Sequence, residues 1–102
     1  MSEAAGETIR VYWRPGCPYC APLLRRLRSR GVPFQDVNIW TDPDAAAFVR
    51  RHANGNETVP TVAVGDVVMV NPSARTVVEA AERIGAIEPG SAPARSPLRR
   101  KR

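Results

Sequence analysis

Two cysteines, the only ones in the chain, stand in a single tetrapeptide, Cys17-Pro18-Tyr19-Cys20. Sulfurs three residues apart share one turn of backbone, so each can reach the other. One thiolate can attack an external disulfide, and the second can then displace the resulting mixed disulfide. A structural disulfide is the first competing account. It would close a four-residue loop, which restricts the unfolded chain too little to stabilise much. A zinc site is the second. Zinc takes four ligands, and beyond the two sulfurs the chain offers only His52, without a paired spacing. Redox chemistry is the favoured reading of a C-x-x-C placed between a strand and a helix.

The surrounding pattern places the pair. Ile9 to Trp13 alternates apolar and polar residues and is predicted to be a strand, stopped by Arg14-Pro15-Gly16. A helix is expected from about Cys17 or Pro18 to Arg30. Leu23, Leu24 and Leu27 form its apolar stripe, and Arg25, Arg26, Arg28 and Arg30 lie mostly on its wet side. Gly31 follows as the terminating residue. Pro22 must either kink that helix or sit in its first turn. Cys17 then falls at a strand-to-helix junction, where free N–H groups and the positive helix end favour a thiolate.

Farther on, Phe34–Ile39 reads as a strand. Asp42-Pro43 opens a helix that runs to about Ala53 and is ended by Gly55. Val59–Val64 and Val67–Val70 read as strands joined by the turn Gly65-Asp66. Asn71-Pro72 repeats the cap-then-proline signature, ahead of a last helix with Val77, Val78, Ala81 and Ile84 inward and Gly85 at its end. The order is β-α-β-α-β-β-α. It predicts an α/β fold: a four-stranded mixed sheet, the first two strands parallel and the last two a hairpin, flanked by three helices on both faces.

The 102 residues suit one domain, predicted over 7–88. With 43% hydrophobic and 25% charged residues, composition excludes a chain disordered throughout. The net charge of +5 misleads. Arg95, Arg99, Arg100, Lys101 and Arg102 account for all of it, and the ten basic side chains before them balance ten acidic ones. A basic, disordered tail over 89–102 is expected, and no specific nucleic-acid binding. No stretch is long and apolar enough for a membrane helix, and Met1–Glu7 lacks the basic-then-apolar order of a secretory signal. The cytoplasm is the expected compartment and a monomer the expected state.

Cys-Pro-Tyr-Cys after a strand, followed by Thr58-Val59-Pro60 opening a later one, resembles the glutaredoxin family of the thioredoxin fold, over about Glu7 to Ile87. The resemblance implies a thiol–disulfide oxidoreductase with Cys17 as nucleophile and Cys20 as its partner. It implies a cis Val59–Pro60 bond that turns the Val59 backbone toward a bound thiol. It also implies that Arg14 helps hold the thiolate and, in that family, the carboxylate of bound glutathione, and that Tyr19 touches the substrate.

One departure bears on the substrate. Glutaredoxins typically carry Gly-Gly-Cys-Asp-Asp after the hairpin, where an acid and helix-start amides hold the glutamyl end of glutathione. Here the residues are Val70-Asn71-Pro72-Ser73-Ala74, without the acids. With Asn-Gly-Asn-Glu-Thr-Val-Pro at 54–60, this looks like the mycoredoxins of actinobacteria. The resemblance implies mycothiol rather than glutathione as thiol co-substrate, with Asn71 and Ser73 in its binding site and no tightly bound cofactor or metal. It implies mycothiolated proteins as substrates and a mycothiol/mycothione reductase system as electron source. Three other functions stay open: a glutathione-dependent glutaredoxin, a dithiol electron donor recharged by thioredoxin reductase, and a carrier of a bridging iron–sulfur cluster, against which Pro18 and Cys20 speak. Trp40 is open between a cover over the site and a strand-end residue. His52 reads as a solvated helix-end side chain.

Overall fold

The structure, a computed structural model, describes residues 8–87; the N-terminal residues 1–7 and the C-terminal residues 88–102, with the basic stretch expected over 89–102, lie outside the described residues. Four strands, β1 (Ile9–Trp13), β2 (Gln35–Asn38), β3 (Thr61–Val64) and β4 (Val67–Val70), form one sheet in the order β2-β1-β3-β4. Three helices, α1 (Cys20–Ser29), α2 (Pro43–His52) and α3 (Ala74–Arg83), complete the chain in the expected order. β1 and β2 are parallel, while β3 runs antiparallel to both β1 and β4.

The period of two in the strands sorts side chains between two cores. Ile9 and Val11 of β1, with Val62 and Val64 of β3, meet Leu23, Leu24 and Leu27 of α1 and Val77, Val78 and Ala81 of α3. On the other face Tyr12 and Ala63 meet Ala45, Ala46 and Val49 of α2. Both cysteines belong to this second, smaller core.

The helix ends carry the chemistry that composition led one to expect, with three corrections. α2 is capped by Asp42, whose carboxylate accepts the Ala45 N–H at 3.1 Å, with Pro43 next. α1 ends with Gly31 at φ 72°, and Val32 N–H returns to the Leu27 carbonyl at 3.1 Å. The first correction concerns its start. α1 begins at Cys20, two or three residues later than expected, because residues 17–19 form a turn closed by Cys20 N–H on the Cys17 carbonyl at 3.3 Å. Pro22 therefore falls in the first helical turn, where its missing N–H leaves nothing unpaired.

The second correction concerns α3. Its cap is Ser73, in extended conformation, which accepts the Thr76 N–H at 3.1 Å. Asn71 does not cap. It sits at φ 54°, a region Asn tolerates better than most residues, and its N–H donates to the Pro60 carbonyl at 2.7 Å. The third correction is Ile84, which caps the C-terminal end of α3 and is 45% exposed rather than inward.

Candidate active site at the Cys17 end of the sheet

The C-terminal ends of β1, β2 and β4 and the N-terminal end of β3 lie together at one end of the sheet, as their pairing directions require. The predicted site residues gather there. Gly16, at φ 80°, turns the chain out of β1, and Cys17 N–H closes onto the Arg14 carbonyl at 3.4 Å. Cys17 is 8% exposed and its thiol donates to the Val59 carbonyl at 3.5 Å. Cys20, at the first helical position, is 2% exposed. Both are free thiols.

The two sulfurs differ electrically. Burial pushes the Cys20 thiol up to about 12, and its hydrogen bond to Cys17 and the Cys17 charge push the same way. A backbone group of Arg14 and the Arg14 guanidinium oppose this without reversing it. Cys20 thus keeps its proton at neutral pH, while Cys17 stands nearer the surface. A pair so arranged can offer one thiolate to an incoming disulfide while a neighbouring S–H donates to it.

Thr58, Val59 and Pro60 form the opposite wall. The Val59–Pro60 peptide bond is cis. Thr61, fully buried, donates its hydroxyl to the Thr58 carbonyl at 2.7 Å, which holds this segment against β3. The approach from α2 is held by Arg50. Its guanidinium pairs with Glu57 at 2.6 Å, and its carbonyl accepts the Gly55 N–H at 2.8 Å. Half-exposed ion pairs contribute little individually, but this one spans the loop that delivers Thr58.

A cleft of ≈ 340 Å³ opens beside this wall, between the start of α1 and the start of α3. Tyr19, Pro22 and Leu23 line one side, and Asn71, Pro72 and Ser73 the other. Tyr19 is 64% exposed at its mouth. The cleft brings together Tyr19, Asn71 and Ser73 from the predicted set and adds Arg26, a wet-face arginine by its place in the helical pattern. Arg26 is seven residues after Tyr19, so the helical repeat puts the two on one side of α1. Among the described residues it is the only charged side chain lining the cleft.

Arg14 lies on the far side of Cys17. Its guanidinium donates to the Pro15 carbonyl at 3.1 Å and stands 6.0 Å from the centre of the Trp40 ring. His52 is exposed, tilted against Phe48 with ring centres 4.6 Å apart. Among the described residues no cluster of three or more His, Cys, Asp or Glu is placed to hold a metal ion, and no helix is long and apolar enough to cross a membrane.

A mixed four-stranded sheet that carries a Cys-x-x-C turn opposite a cis-proline defines a thiol–disulfide exchange protein. The sequence model of the Glutaredoxin family matches residues 9–69. Mycoredoxin 1 of Corynebacterium glutamicum is 32% identical over 79 residues, covering 76% of this chain and 98% of that protein. The glutaredoxin-like protein NrdH of Salmonella typhimurium is 39% identical over 59 residues, 58% of this chain and 70% of its own. Among solved structures, NrdH-redoxin of Escherichia coli, described as glutaredoxin-like with a thioredoxin-like activity profile, superposes with a TM-score of 0.60 at 28% identity, covering 70% of this chain and 91% of that one. The chain belongs to the glutaredoxin family, and it is a thiol–disulfide oxidoreductase.

Proposed function

We propose that this protein reduces mixed disulfides between proteins and mycothiol, acting as a monomer in the cytoplasm through Cys17. The observation that carries the reading is the charge of the cleft beside Tyr19: one guanidinium, from Arg26, and no carboxylate. The ammonium of glutathione's glutamyl end, which sits beside a carboxylate of its own, would find no acidic side chain there to pair with. A sugar–inositol thiol presents hydroxyl and carbonyl oxygens, which suit Arg26, Asn71 and Ser73 as donors. Likeness to a mycoredoxin supports the same choice.

The Cys17 thiolate attacks the mycothiol sulfur of the mixed disulfide. A Cys17–mycothiol bond forms, the original S–S bond breaks, and its electron pair leaves with the client sulfur, which takes up a proton. The Val59 backbone pairs with the bound thiol, with Thr58 and Pro60 holding that wall. Arg14 supplies positive charge beside Cys17, and Tyr19 lies along the cleft. A second mycothiol thiolate then attacks its bound counterpart. It frees Cys17 and releases the symmetric disulfide, which a mycothione reductase returns to thiol. Cys20, holding its proton, need not take part.

A second reading rests on the likeness to NrdH proteins. In it the buried Cys20 resolves a mixed disulfide with a client, and a thioredoxin reductase recharges the Cys17–Cys20 disulfide. Turnover of a mycothiol mixed disulfide beside its glutathione counterpart, each with its own thiol–reductase couple, separates the two. Strong preference for mycothiol, kept in Cys20→Ser, is expected. Preference for glutathione overturns the thiol assignment, and reduction by thioredoxin reductase without any small thiol moves the assignment to the second reading.

A further inference from the structure

Four loops meet around Cys17, and the sheet fixes their order. Trp40 follows β2, Cys17 follows β1, Val59 and Pro60 precede β3, and Asn71 follows β4. The cleft at Asn71 and Ser73 and the Trp40 ring therefore lie on opposite sides of Cys17. In an exchange reaction the attacked sulfur stands between the attacking and the leaving one. With the small thiol lying in the cleft on the β4 side, the bulk of the client is kept off that side. The rim toward β2 is left to it.

That rim is built. Trp40 is 62% exposed, and with Tyr19 it makes up the exposed aromatic surface of the described residues. Its backbone is pinned, however. Trp40 N–H donates to the Asn38 side-chain oxygen at 2.9 Å, and the Asn38 carbonyl accepts both the N–H and the hydroxyl of Thr41 at 3.2 Å. Ile39 N–H ties the same turn to the Trp13 carbonyl of β1 at 2.9 Å. An indole held out to solvent on a fixed turn loses little freedom when something covers it. The Arg14 guanidinium, 6.0 Å from the ring centre, adds a cation at the edge of the same platform.

We infer that Trp40 and Arg14 form the docking platform for the protein half of the mixed disulfide. Trp40 covers an apolar side chain next to the client cysteine, and Arg14 faces the sulfur that leaves as thiolate. The occupant is the client polypeptide flanking its modified cysteine. The inference rests on the proposed reaction at Cys17. The leaving thiolate carries the electron pair of the broken S–S bond, develops its charge beside a guanidinium and takes its proton from water.

The test compares two substrates on one enzyme: a peptide mixed disulfide with a Leu or Val beside its cysteine, and the disulfide of the same small thiol with cysteamine. The small thiol is whichever the wild type reduces faster, mycothiol or glutathione, so a wrong thiol assignment leaves this comparison readable. In Trp40→Ala the ratio of kcat/KM for the peptide over that for the cysteamine disulfide should fall about five- to tenfold, and Trp40→Phe should restore most of it. An unchanged ratio, whether both substrates slow together or neither does, overturns the inference. Since the indole is mostly outside the core, the folded state should persist, and a thermal melt of each variant reads that directly.

Discussion

Cys17 and Val59, forty-two residues apart, meet through a hydrogen bond of 3.5 Å from the Cys17 thiol to the Val59 carbonyl. That contact joins the turn after β1 to the segment that enters β3. It places the more accessible sulfur against a wall of main chain, while Cys20 is the more deeply buried of the two. The two cysteines are thus unequal before any substrate arrives, and their substitutions should have unequal effects.

With mycothiol as the recycling thiol, Cys17→Ser should lower turnover to background, roughly a thousandfold or more, because the attacking sulfur is gone. Cys20→Ser should stay within about threefold of wild type, since no step of the proposed route takes its proton. Steady-state assays of both variants with the same mixed disulfide decide this. Equal loss in the two would mean that the resolving thiol is required.

The proton on Cys20 also links stability to pH. In the unfolded chain this thiol titrates at its ordinary 9.0, and in the folded protein burial, with help from Cys17, pushes it up to about 12. Between those values the folded state holds a proton that the unfolded chain has lost. Its contribution is therefore fully present below pH 9 and is lost as pH rises toward 12. Urea unfolding at pH 8 and pH 10.5 should show wild type losing more stability than Cys20→Ser. The difference should have a slope of at most about 1.4 kcal/mol per pH unit. Parallel loss in the two proteins would remove Cys20 as its source.

Much of this was legible in the sequence where the signal is local. β1 and β4 match their predicted bounds residue for residue, because a short β-rich run bounded by Gly, Pro or Asn has few other ways to fold. Asp42-Pro43 announced α2 for the same reason. The start of α1 was misplaced because the fixed φ of Pro18 fits a turn as well as a first helical residue. Asn71 and Ser73 are both good caps by type. Only the bond from Asn71 N–H to the Pro60 carbonyl, a contact between distant segments, draws Asn71 into the left-handed region and leaves the cap to Ser73. Arg26 was hidden in the same way. It is a wet-face arginine until the β3–β4 hairpin lays the start of α3 beside α1.

Thr61 ties stability to the shape of the site. Its side chain is fully buried and its hydroxyl donates to the Thr58 carbonyl at 2.7 Å. Thr61→Val keeps the volume and removes the donor, leaving that carbonyl short of a partner, which should cost about 1–3 kcal/mol. Thr61→Ser keeps the donor and loses only a methyl group, so it should cost about 1 kcal/mol. Denaturant midpoints rank the two. A Val variant as stable as wild type would mean that the Thr58 carbonyl finds another donor.

Arg26 should set which small thiol the cleft prefers. Among the described residues its guanidinium is the one charge there, and the proposed preference for mycothiol rests on the absence of an acid for an ammonium while Arg26 donates to oxygens. Arg26→Glu inverts that logic by supplying the counter-ion that a glutamyl group needs. Because the site is open to water, the charge exchange should be worth about 1–2 kcal/mol, or about five- to thirtyfold in the ratio of kcat/KM for the mycothiol over the glutathione mixed disulfide. Arg26→Gln, which keeps a donor but loses the charge, should fall between. The change should appear mainly in KM, since Arg26 lines the cleft and does not touch the reacting sulfurs. A ratio that stays fixed in both variants would place the discrimination elsewhere, at Asn71 and Ser73 on the opposite wall. Double variants of those two with Arg26 would then show the missing coupling.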